Sequence, residues 1–95
     1  MMSDGNNIEV RMPDDMQAGA FANNMVVSHT KEEFVLDFMF VAPPTGTITS
    51  RVIVTPGHMK RILAAFKENV SKYEKVHGKI EAGPAPKQKL GFQPE

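Results

Sequence analysis

The chain reads as an α+β domain: an antiparallel meander of three to four strands with one C-terminal amphipathic helix packed on one face of the sheet. Three observations predict it. Residues 32–41, EEFVLDFMFV, are apolar on both faces of an extended chain, with Phe34, Leu36, Phe38 and Phe40 pointing one way and Val35, Met39 and Val41 the other. The run APPTG at 42–46 is a firm turn that leads into a second run rich in Thr, Ile and Val. Further on, Met59, Ile62, Leu63, Phe66, Val70 and Tyr73 recur at spacings of three and four, the stripe of a helix.

Taken in order, residues 1–6 are expected to be a disordered lead-in. Ile8, Val10 and Met12 alternate with Glu9 and Arg11, the pattern of a half-buried strand that Pro13 stops. PDDMQAGA, 13–20, has the turn formers of a loop. A strand follows from Phe21 to about Ser28, its register open because both parities contain apolar residues. SHTKEE, 28–33, connects it to the central strand. The next strand runs from Thr47 to Val54.

If residues 42–46 are the loop between those two strands, paired residue numbers sum to 88. Asp37 then faces Arg51, Leu36 faces Val52, Phe40 faces Ile48 and Phe34 faces Val54; a slip by one would break both the charge match and the apolar match. The helix has Thr55 as N-cap, Pro56 at its first position and Gly78 at its end. Its stripe is expected to lie on the phenylalanine face. From Glu81, AGPAPKQKLGFQPE is expected to be a disordered Pro/Gly-rich tail, in which Leu90 and Phe92 are lone hydrophobes. One domain, 7–80, results.

The chain has 95 residues, and a domain this small buries only about 60 to 65% of its unfolded surface. Without cysteine, it has no disulfide or thiolate metal site to add stability. Oligomerisation is what remains, and a strand apolar on both sides needs a lid on each. One helix supplies one lid, so a second copy is expected to supply the other, giving a homo-oligomer, expected as a dimer. The candidate oligomer interface is Val35, Asp37, Met39, Val41, Thr49, Arg51 and Ile53.

Formal net charge is zero. An acidic front half and a basic back half can attract each other across a subunit contact. No run approaches the ~20 apolar residues of a membrane span, and a cytoplasmic protein is the default expectation.

Catalytic and metal readings are weak. Ser28 and His29 are neighbours on a strand end, so their side chains point apart rather than meeting as nucleophile and base. Glu32 and Glu33 are adjacent carboxylates in an exposed turn, and the solvated reading is preferred to a general acid. His58 and His77 lie about 28 Å apart along the helix and cannot share an ion, and His29 with Glu32 or Glu33 is a two-ligand fragment. No cofactor is implied. Lys60, Arg61, Lys67, Lys72 and Lys75 form a candidate basic face for nucleic acid, although Phe66 and Tyr73 fall in the apolar stripe and leave no stacking platform.

FANNMVVSHTKEEFVLDFMFVAPP, 21–44, and SRVIVTPGHMKRILAAFKENVSKYEKVHGKI, 50–80, resemble a bacterial family of small proteins known only as a domain of unknown function, number 3467. VSHTKEEFVLDF and TPGHMKRIL are the specific parts. The resemblance implies a compact bacterial cytoplasmic protein and carries no catalytic residues over. The order of strands and helix is also loosely similar to the export chaperone SecB, whose subunits pair through sheets and helices. The expected function is a non-catalytic, homo-oligomeric interaction module that binds a protein partner or client; the alternative is a nucleic-acid-associated protein that uses the basic helix face.

Overall fold

A computed structural model describes residues 7–84 and 91. It contains a single 3-10 turn, Asp14–Met16, three strands and one helix: β1 Asn24–His29, β2 Phe34–Ala42, β3 Thr45–Val54 and α1 Pro56–His77. The strands form one antiparallel sheet in the order β1-β2-β3. This is the expected α+β order, with three strands rather than four.

The segment with strand-like alternation, Ile8 to Met12, has no regular structure, and Ile8 and Val10 are 88% and 90% exposed. Alternation alone does not make a strand, because the segment must also pair with an edge. β1 begins at Asn24 rather than Phe21 because Asn23 takes the ladder's next place with its side chain. The Asn23 amide nitrogen donates to the Val41 carbonyl at 2.9 Å, and its oxygen accepts from the Val41 N–H at 2.8 Å. Phe21, thus left outside the ladder, sets its ring against Phe40 at 5.9 Å.

β2 and β3 keep the expected register in their lower half, where Phe34 faces Val54, Leu36 faces Val52 and Asp37 faces Arg51. Past Phe38 the register shifts: Met39 faces Ile48 and Phe40 faces Thr47, which leaves Thr49 as the extra residue of a bulge. The turn is correspondingly tighter than expected. Only Pro43 and Pro44, joined by a cis peptide bond, separate Ala42 from Thr45. As a result Ile48 moves from the phenylalanine face to the face of Met39, and Thr47 moves the other way.

α1 starts and ends where its caps predict. The Thr55 hydroxyl accepts from the His58 N–H at 3.3 Å. Gly78, with φ of 92° in the left-handed region, donates its N–H to the Glu74 carbonyl at 2.9 Å.

The packing of α1 departs from expectation. The helix buries none of its residues: Met59 and Ile62 in its first two turns are half-buried, and Leu63, Phe66, Val70 and Tyr73 are exposed by about half or more. Thr55 alone separates the end of β3 from α1, and a one-residue link has little slack for folding a long helix back over the sheet. The apolar residues that are buried are Leu36, Met39 and Val54. Both faces of β2 are therefore shielded at their centre, while Met25, Val27, Phe40, Ile48, Val52 and Ile53 around them remain open.

Leu36, 3% exposed, is the sheet's tightest point. Leu36→Ala is expected to cost about 2–5 kcal/mol in urea unfolding, whereas Val10→Ala stays within roughly 0.5 kcal/mol of the parent.

Candidate interaction surface

Among the described residues, the ion pair that the fold assembles across its strands is Asp37 and Arg51. Antiparallel pairing sets the two residues directly opposite each other, and the guanidinium meets the carboxylate in a two-pronged contact: Nε donates to Oδ1 at 2.6 Å and Nη2 to Oδ2 at 2.9 Å. The two ends differ in setting. Asp37 is buried, 6% exposed, while the side chain of Arg51 is 63% exposed.

The hydrogen bonds from Arg51, helped by its charge, hold the Asp37 carboxyl below its ordinary value of 3.8 against an opposing desolvation effect; the same bonds push Arg51 up. The arrangement engages both oxygens of the carboxylate and ties β2 to β3 at this position of the register.

The residues expected at an oligomer interface share the Asp37 face, but they differ in accessibility. Asp37 and Met39 are buried within the single chain, Val35 and Val41 are half-buried, and Thr49, Arg51 and Ile53 are exposed. Thr49 is the bulge residue, and its hydroxyl donates to the Phe38 carbonyl at 3.3 Å. Ile48, placed on the other face by sequence, joins this set through the bulge. A single extra residue in one strand has no signature in an alternating Thr, Ile and Val run, so sequence reasoning missed it.

The larger apolar surface is the stripe of α1. At 100° per residue, Met59, Ile62, Leu63, Phe66, Val70 and Tyr73 fall within one sector of the helix. Tyr73 and His77 bring their rings to 4.7 Å at its far end.

The five basic residues of the candidate nucleic-acid face share one sector of roughly 140° on the side of α1 away from the stripe, Lys60 and Lys67 together at one edge of it and Lys75, Arg61 and Lys72 across the rest, with Glu68 among them and Glu74 beside Lys67. Lys72 bonds Glu68 at 3.2 Å. Glu74 accepts from the Ile80 N–H at 2.9 Å.

Among the described residues no three His, Asp or Glu side chains stand close enough to hold a metal ion. His29 sets its ring against Phe34 at 5.3 Å, and no described helix is long and apolar enough to cross a membrane. The expectations for residues 1–6, and for Leu90 and Phe92 in the tail, lie outside the described residues.

A three-stranded meander feeding directly into a long helix defines a small α+β protein with more apolar surface than its own chain covers. Residues 2–82 match the family described as Protein of unknown function (DUF3467), and the chain belongs to that family. The match takes in the N-terminal stretch 2–20 as well as the sheet and helix. No curated protein and no solved structure matches the chain.

The sign of the Asp37 shift gives a pH dependence. A carboxyl that is more acidic folded than unfolded contributes stability that is present in full above its unfolded value, 3.8, and lost as pH falls through its lower folded value. In thermal melts across pH 2–6, Asp37→Asn is expected to be less stable than the parent at the upper end and to lose that disadvantage progressively as the parent's carboxylate takes up its proton.

Proposed function

We propose that the chain is a non-catalytic, homo-oligomeric interaction module in which a second copy covers the α1 stripe and the assembled sheets bind a protein partner. The observation that carries this reading is the uncovered stripe: Leu63, Phe66, Val70, Tyr73 and Val76 are each 47% to 76% exposed. At the sizes of such side chains they present roughly 600 Å² of surface per copy, close to the ~800 Å² that each partner contributes to a standard stable interface. A patch of this size is at the upper end of what monomeric proteins leave open to water, where such patches are often functional. The Asp37–Arg51 pair supports the reading as a device that holds the sheet's register while its outer strands meet a neighbour.

The nucleic-acid alternative has less support, because Glu68 lies within the basic sector of α1 and bonds Lys72, and the aromatic residues of the helix fall in the opposite stripe. A salt-dependent mobility shift on DNA or RNA that vanishes on charge reversal at Lys60, Lys67 and Lys72 would favour it over the present reading.

Sedimentation equilibrium tests the assembly. The chain, 10.5 kDa, is expected at a multiple of that mass at micromolar concentration. Phe66→Glu is expected to weaken association about 30-fold or more, the effect of losing an anchor worth roughly 2 kcal/mol, while the helical circular dichroism stays in place. A parent protein that sediments at the single-chain mass would overturn the proposal.

A further inference from the structure

The outer edge of β1 has the properties of a pairing edge, and the geometry points to one occupant. We infer that β1 pairs antiparallel with β1 of a second copy about a twofold axis at Val27, joining the two sheets into one of six strands. This inference rests on the homo-oligomer reading above and specifies which edge the copies share.

The direction of each β1 amide follows from one bond. The Thr30 N–H donates to the Glu33 carbonyl at 2.9 Å, and these residues continue the register that pairs His29 with Phe34. Opposed residues in an antiparallel ladder alternate between bonded and non-bonded pairs, so Ser28, Val26 and Asn24 direct their backbone groups toward β2. Met25, Val27 and His29 therefore direct theirs outward. The Met25 N–H turns back to the Asn24 side-chain oxygen at 2.9 Å; among the described residues no strand lies beyond β1 to take the rest.

Exposed edges are normally blunted by charge, proline or a bulge. The edge at β3 has two such devices, the bulge at Thr49 and the outward Arg51. β1 has neither: its six residues pair with β2 in unbroken register, and no Asp, Glu, Lys or Arg occurs between Asp15 and Lys31.

The strand is also complementary to itself. About a twofold axis at Val27, Met25 faces His29 of the second copy, Val26 faces Ser28 and Val27 faces its own equivalent. No fixed charge opposes a like charge, and the outward backbone groups find partners, the Met25 N–H by exchanging the Asn24 side-chain oxygen for a carbonyl of the second copy. Met25 and Val27, each 40% exposed, lie on the same face as Leu36 and Phe38, and pairing extends that apolar face across the axis.

The absence of cysteine gives a clean test in the full chain. Val27→Cys places two thiols opposite each other, about 5.5 Å apart at Cα and within disulfide reach; Met25→Cys places them four residues out of step, roughly 13 Å apart. Under mild oxidation Val27→Cys is expected to give at least about tenfold more cross-linked dimer than Met25→Cys. Met25→Cys mixed with His29→Cys should cross-link as Val27→Cys does. A parent that sediments as an oligomer, together with no excess cross-linking at Val27, would overturn the edge pairing and leave the homo-oligomer standing. A single-chain mass would overturn both. Cross-linking of Val27→Cys to Val10→Cys in preference to itself would overturn the proposed occupant in favour of the N-terminal segment.

Discussion

The two-pronged contact between Asp37 and Arg51 fixes how β2 lies on β3, and most of the structure follows from that alignment. With this pair in place, Leu36 must face Val52 and Phe34 must face Val54, so one side of the ribbon is apolar along its lower half. A shift by one residue would turn a buried carboxylate toward the wrong neighbour and send each apolar side chain of β3 to the opposite side. An ion pair this close to the middle of a small sheet is worth more as a specification of alignment than as a source of stability, because bringing Asp37 out of water offsets much of the attraction.

Much of this was legible in the residues themselves. The pairing of Asp37 with Arg51 followed from the match of charge and apolar residues, although the expected loop was too long and the bulge at Thr49 makes up the difference; the boundaries of α1 followed from Thr55, Pro56 and Gly78, since capping chemistry is local and acts within one turn. What was not legible depended on tertiary context. Ile8, Val10 and Met12 have the alternation of a strand, yet whether such a segment is a strand depends on a partner that it does not itself encode. The bulge at Thr49 arises from the fit between a two-residue proline turn and the Asp37–Arg51 alignment, two local constraints that are out of step by one residue. Asn23 standing in for a strand residue depends on Val41, far from it in sequence.

The helix separates pattern from packing most clearly. Its periodicity correctly identified one apolar side, but periodicity says only that a side is to be covered, not by what. The stripe is half-buried at Met59 and Ile62 and open from Leu63 onward. Candidate interface residues on the sheet divide likewise: Asp37 and Met39 serve their own chain, while Arg51 and Ile53 face outward.

The junction at Thr55 links these two parts mechanically. With one residue between the last paired position of β3 and the first turn of α1, there is no joint in which a change of alignment could be absorbed. One residue inserted or removed between Arg51 and Thr55 would turn the last side chains of β3 to the opposite face of the sheet and carry the first turn of the helix with them. The hairpin thus sets where the helix starts and how it leaves the sheet, so in this chain a change of length is absorbed more readily at the Pro43–Pro44 turn than in the few residues that lead into α1.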